Sequence, residues 1–146
     1  MNSTFSASTS IIIEAPVNKV WEALTNPEII KQYLHGTNTK TDWVVGHPIT
    51  WSGEWNGKPY EDKGEVLAFE SNKIVKTSHW SPLAGQEDKP ENYHIVTYEL
   101  SSDNNKTRLT LTQGDNSSQE DVESMVENGW KPILLQIKEL LEMKYG

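Results

Sequence analysis

Hydrophobic and polar residues change period along this chain, and each change marks an element. Residues 3–14 carry Thr, Ser, Phe5 and the run Ile11, Ile12 and Ile13 without a helix cap, which is a strand pattern. At Pro16 the period changes. Proline suits the first turn of a helix, where its missing N–H is not needed, and Val17, Val20, Trp21 and Leu24 follow at helical spacing. Asn26 and Pro27 make a second cap-plus-proline start, followed by Ile29, Ile30, Tyr33 and Leu34. Two short helices are therefore predicted, joined at residues 25–27.

The middle of the chain alternates with period two. Residues 48–56 place Ile49, Trp51, Gly53 and Trp55 on one face. Asn56-Gly57 is a hairpin signal, and residues 60–70 read as the returning strand, with Gly64 a candidate bulge. Ser71-Asn72 is the next turn and residues 74–80 the next strand. Residues 81–92 form a polar loop with Pro82, Gly85 and Pro90, in which Leu83 and Ala84 are the apolar residues. Residues 93–100 and 107–113 then pair across a turn. Strands joined in sequence by short turns make an antiparallel meander.

The last segment has the clearest pattern. Val122, Met125, Val126, Gly129, Trp130, Ile133, Leu134, Ile137, Leu140 and Leu141 recur every three or four residues over 118–144. That is about 40 Å of helix. Acids fill its first half and Lys131, Lys138 and Lys144 its second, the order that complements the helix dipole. Pro132 inside the pattern predicts a kink near Asn128 or Gly129. The fold class that follows is α+β: a curved antiparallel sheet of six or seven strands gripping one long C-terminal helix, with two short helices after the first strand, in a single domain over residues 1–146. Space left between helix and sheet is where a ligand would bind.

Composition narrows the chemistry. With no Cys, disulfides, thiolate nucleophiles and Cys-held metals drop out. Asp plus Glu is 21 against 13 for Lys plus Arg, a formal charge of −8, which argues against nucleic acid and membrane as partners. The longest aliphatic run, residues 11–13, is far short of the roughly 20 residues of a membrane span. The first ten residues have no Lys, Arg or apolar h-region, so a cytoplasmic protein is expected. His35, His47, His79 and His94 lack the spacing of a helical metal pair, and no nucleophile elbow, phosphate loop or dinucleotide fingerprint occurs. No metal and no cofactor are expected. Six Trp in 146 residues must be buried or must line something.

Residues 13–28, Ile-Glu-Ala-Pro-Val-Asn-Lys-Val-Trp-Glu-Ala-Leu-Thr-Asn-Pro-Glu, resemble the opening signature of the START-like (SRPBCC, helix-grip) superfamily. Gly64-Glu65-Val66, the stretch from Thr107 to Gln113, and Gly129-Trp130 with Leu134 and Leu141-Glu142 are similar to its branch of activators of the 90-kDa heat-shock-protein ATPase. The resemblance runs from about residue 8 to 144. It implies a cavity that takes apolar or amphipathic molecules, a polyketide cyclase or dehydratase activity in some members, and a chaperone partner in others. It carries no shared catalytic set.

Alternation selects the side chains that face the long helix. Gln113 shares a face with Leu109 and Leu111, and Tyr98 shares one with Val96 and Leu100, because the opposite set holds Glu99. For residues 74–80 the choice is open: Lys76 favours His79 inward, whereas Trp80 prefers the other face. The candidate cavity residues are Tyr33, Trp51, His79, Trp80, Tyr98, Gln113, Met125 and Trp130. Their simplest function is to hold a small apolar or aromatic ligand. An enzyme with His79 as general base and Tyr98 as proton donor ranks second, and a chaperone-interacting module third. The loop 81–92 and the helix pair before Gly36 are expected to form the cavity mouth, with Tyr33 and Leu34 as its rim.

Overall fold

The computed structural model describes residues 5–34, 36–82, 85–115 and 118–145, with backbone alone at Trp55 and Asp115. His35, Leu83 and Ala84 lie outside the described residues. The elements run β1 (Phe5–Ile13), α1 (Val17–Thr25), α2 (Pro27–Tyr33), β2 (Asn38–Lys40), β3 (Pro48–Trp55), β4 (Lys58–Glu70), β5 (Ile74–His79), β6 (His94–Asp103) and β7 (Lys106–Asp115). The C-terminal helical run follows as α3 (Gln119–Met125), a π-turn (Val126–Trp130) and α4 (Lys131–Tyr145).

The seven strands form one antiparallel sheet in the order β1-β7-β6-β5-β4-β3-β2. This is the α+β arrangement that the alternation predicts. The first strand closes the meander by pairing with the last, Ile11 opposite Leu109. Two tight turns set the register. Asn56-Gly57 and Asn104-Asn105 have positive φ at both positions, the twist that matches two antiparallel strands. The edge strand β2 has only 3 residues and carries too little pattern to be read from sequence.

Gly64 is not a bulge. The register shift falls between Val66 and Ala68. At Gly64 the neighbouring strand comes so close that a Cβ would stand 1.8 Å from the Ser78 carbonyl oxygen. Beside it, Lys63 and Trp80 exchange backbone hydrogen bonds of 2.9 and 2.8 Å. The glycine lets β4 stay paired with the end of β5.

The helix irregularity falls where Pro132 requires it. Proline has no N–H to give the Asn128 carbonyl, and the ladder shifts by one residue: the Lys131 N–H bonds to the Val126 oxygen. The inward stripe Val122, Val126, Trp130, Leu134 absorbs the extra residue by stepping four at a time. The helical run packs against β1 and β7. There Ile13, Leu109, Leu111, Leu134 and Ile137 are fully buried.

Candidate functional site

The long helix covers one half of the sheet. Over the other half, β3 to β6, the cover is α2, the segment after it and the loop carrying Trp43, and they leave a cavity of about 240 Å³. Alternation aims the wall residues. On β4, Tyr60, Asp62 and Val66 point inward while Glu61, Lys63 and Glu65 face solvent. On β3 the inward residues are Ile49 and Trp51, on β5 Val75, Thr77 and His79, and on β6 Val96 and Tyr98. Trp130 of the π-turn closes the side toward the long helix.

Six of the sixteen wall residues are Trp or Tyr, and most of the polar atoms of the wall are satisfied. The Tyr33 hydroxyl donates to the Ala23 carbonyl at 2.8 Å. Tyr60 lies across Gly53, where a Cβ would meet its hydroxyl at 2.9 Å, and so reaches Thr37 Oγ1 at 2.7 Å. Trp130 Nε1 donates to Gln113 Oε1 at 2.5 Å, and the Trp130 ring stands perpendicular to Tyr98 with centroids 6.2 Å apart. The Tyr98 hydroxyl has no protein partner among the described residues. Burial holds the phenols of Tyr33 and Tyr98 above their ordinary titration range, and Tyr98 adds to the effect at Tyr33.

The polar end of the cavity is a pair. His79 Nε2 lies 2.9 Å from Asp62 Oδ2, with the two side chains 28% and 17% exposed. Trp51 is the direct cross-strand partner of Asp62, and its ring is tilted 63° to that of His79 with centroids 5.1 Å apart. The second oxygen of Asp62, Oδ1, is buried without a hydrogen-bond partner. Among the described residues no group of three or more His, Cys, Asp or Glu converges as a metal site.

Of the residues singled out from sequence, Tyr33, Trp51, His79, Tyr98 and Trp130 line this one cavity. Three others do not. Trp80 follows His79 by one residue, so alternation sends it to the outer face. There it stacks on Tyr93 at 6.4 Å and donates from Nε1 to the Glu87 carbonyl at 3.1 Å. Met125 precedes the buried Val126 and is 40% exposed, although its sulfur accepts from Gln113 Nε2 at 3.3 Å. Gln113 faces inward and is almost fully buried, but it stands behind Trp130 and holds that ring.

The expected mouth is not formed by the two segments together, and Tyr33 is buried rather than at a rim. Tyr33 and Leu34 line the cavity, whereas no described residue of 81–92 does. That loop folds onto the outer face, where Asp88 pairs with Lys63 and accepts from the Tyr93 hydroxyl at 2.6 Å. These contacts hold the Asp88 carboxyl below its usual range. Burial, with help from Asp88, pushes Tyr93 up to about 12.

Sequence reasoning missed Trp43 and Asp62. Asp62 was legible, since it alternates with Val66 on one strand. Trp43 was not: it lies in a loop and adopts φ 59°, a region where a bulky side chain is strained by roughly 1–3 kcal/mol. Its ring stacks on Phe69 at 5.3 Å, and its Nε1 donates to the Thr25 carbonyl at 3.1 Å. These contacts hold it as a cavity wall.

A sheet curled against one long helix, with a cavity at its uncovered half, is the helix-grip fold. The family described as Activator of Hsp90 ATPase homolog 1-like protein matches residues 14–142, and the chain belongs to that family. A protein of Cytophaga hutchinsonii, solved in solution, is 44% identical, with a TM-score of 0.84 over 99% of this chain and 98% of that one. CalU16 from Micromonospora echinospora is 26% identical, with a TM-score of 0.71 over 92% of this chain and 73% of that one. An Hsp90 activator from Plasmodium falciparum shares the fold at 20% identity and a TM-score of 0.72, over 94% and 96% of the two chains. No curated protein sequence matches. No helix among the described residues is long and apolar enough to cross a membrane.

Proposed function

We propose that this protein binds a small, apolar, aromatic ligand in the cavity between β3 to β6 of its sheet and the cover formed by α2 and the Trp43 loop, beside the long helix rather than beneath it. The observation that carries the reading is the cavity itself: about 240 Å³, walled by Tyr33, Trp43, Trp51, Tyr60, Tyr98 and Trp130. A cavity of about 150 Å³ lined by apolar side chains accepts benzene, so this volume suits one or two fused rings. Few polar atoms are left to orient a guest, as in small-molecule sites generally.

A general base at His79 with a proton donor at Tyr98 is not favoured. Tyr98 pairs with Val75, four residues from His79 along β5, about 13 Å at the rise of a strand. The two side chains would meet opposite ends of a ligand rather than one reacting atom. A chaperone partner is the alternative that family membership suggests, and no feature of the described surface adds to it.

The test is a titration of intrinsic tryptophan fluorescence with naphthalene. A saturable change is expected, and it should vanish in Val75→Phe, which fills the cavity, while cooperative unfolding persists. A linear, unsaturable response in the native protein would remove the proposal.

A further inference from the structure

The cavity is apolar along most of its wall and strongly polar at one point. Asp62 and His79 supply a carboxylate and an imidazole, and among the described residues no Lys or Arg lines it. Their geometry assigns the protons. A carboxylate only accepts, so the 2.9 Å contact requires a proton on His79 Nε2. When the ring is neutral, Nδ1 is then an acceptor, and it has no protein partner among the described residues. Asp62 Oδ1 is likewise an acceptor without a partner. A buried acceptor left unpaired is costly, and a guest that supplies a donor relieves that cost.

Charge excludes one class of guest. The pair carries a net charge of minus one with His79 neutral and zero with it protonated, so an anionic headgroup finds no counter-charge. A carboxylate would be desolvated against Asp62. A cation meets a net negative charge only while His79 is neutral, and it must shed its water to enter an otherwise apolar cavity, a cost that a neutral hydroxyl donor escapes. The aromatic rings around the pair, Trp51 tilted against His79 and Tyr60 two residues from Asp62, suit a flat ring. At the far end the free Tyr98 hydroxyl can donate to a ring face or an acceptor.

Building on the proposed cavity binding, we infer that Asp62 and His79 form an acceptor subsite that selects a neutral aromatic ligand bearing a hydroxyl donor, and that rejects carboxylates. Fatty acids and other anionic amphiphiles are then poor ligands even though the cavity is apolar.

Calorimetric titration with four probes of one ring size tests this: naphthalene, naphthol, naphthoate and naphthylmethylammonium. Naphthol should bind about tenfold or more tighter than naphthalene, the worth of a hydrogen bond to a charged acceptor. Naphthoate should bind more weakly than naphthalene. Asp62→Asn should shrink the advantage of naphthol over naphthalene and improve naphthoate relative to naphthalene. His79→Phe keeps a ring in place and should also shrink that advantage. If either variant fails to fold, the ranking in the native protein decides alone. Naphthalene binding with no gain for naphthol, or with naphthoate or the ammonium tightest, would overturn the subsite and leave the cavity reading standing. If none of the four binds, both fall.

Discussion

The two halves of the sheet follow the same alternation and end in opposite states. On β1 and β7 the inward residues Ile13, Leu109 and Leu111 meet Leu134 and Ile137 of the helix and lose all contact with water. On β3 to β6 the inward residues Trp51, Asp62, His79 and Tyr98 face a space. The difference lies in the cover. One helical run packs along β1 and β7, and the sheet is wider than that run. The uncovered half is roofed by α2 and a strained loop, elements too short to fill it. A cavity of this kind arises from a mismatch between sheet width and helix coverage, and no special cavity sequence is needed.

Substitutions should break the symmetry of the two halves. Ile137→Ala, in the closed half, should cost about 4 kcal/mol in denaturant unfolding, since nothing can collapse into the void. Val75→Ala beside the existing cavity should cost only about 1 kcal/mol, because it enlarges a space already present. Equal costs would mean that the two halves pack alike. Gly64→Ala acts at the edge of the open half and should cost about 3 kcal/mol, with β4 displaced from Ser78.

Two tyrosines sharpen the comparison at smaller scale. Tyr33→Phe leaves the buried Ala23 carbonyl without its donor and should cost about 1 kcal/mol. Tyr98→Phe removes a hydroxyl that has no protein partner and should change stability by less than about 0.5 kcal/mol. Alkaline titration separates them from surface tyrosines. Both phenols titrate higher folded than unfolded, so between the two values the unfolded state has lost the proton that the folded state keeps. Their stabilisation is complete below the unfolded value, near 10, and is lost as pH rises beyond it. Tyr98→Phe should therefore flatten the fall in unfolding midpoint above that pH.

The smallest effect is expected at Glu142. It accepts from Lys138 and from the Glu14 backbone, joining α4 to the end of β1, and these contacts lower its carboxyl titration. Its contribution is present above the unfolded value and disappears as pH falls through the folded one. The site is partly exposed and screened by solvent, so Glu142→Gln should move the unfolding midpoint only slightly, and only above the acid range.

The fold was legible because each element except the short β2 announced itself locally. Pro16 and Asn26-Pro27 start the helices, Asn56-Gly57 turns a hairpin, and the stripe through Leu141 defines the long helix. The steps of four from Val122 to Leu134, together with Pro132, even held the π-turn. The site was legible where alternation decided it, at Trp51, His79 and Tyr98. It was less so where reach and context decide. Trp80 is as apolar as Trp51, yet one residue of register sends it outward. Met125 has helical spacing but lies one position off the stripe. Trp43 sits in a loop without period, and tertiary contacts to Phe69 and Thr25 hold its conformation.

The indole N–H resonances test the account most directly, because tryptophans stand both in the cavity wall and on the opposite face of the same strands. With naphthol added to saturation, the signals of Trp43, Trp51 and Trp130 should move together along one binding curve, while that of Trp80 on the outer face stays in place. Movement of Trp80 with the other three unmoved, or saturable binding that shifts none of them, would contradict a ligand site in the uncovered half of the sheet.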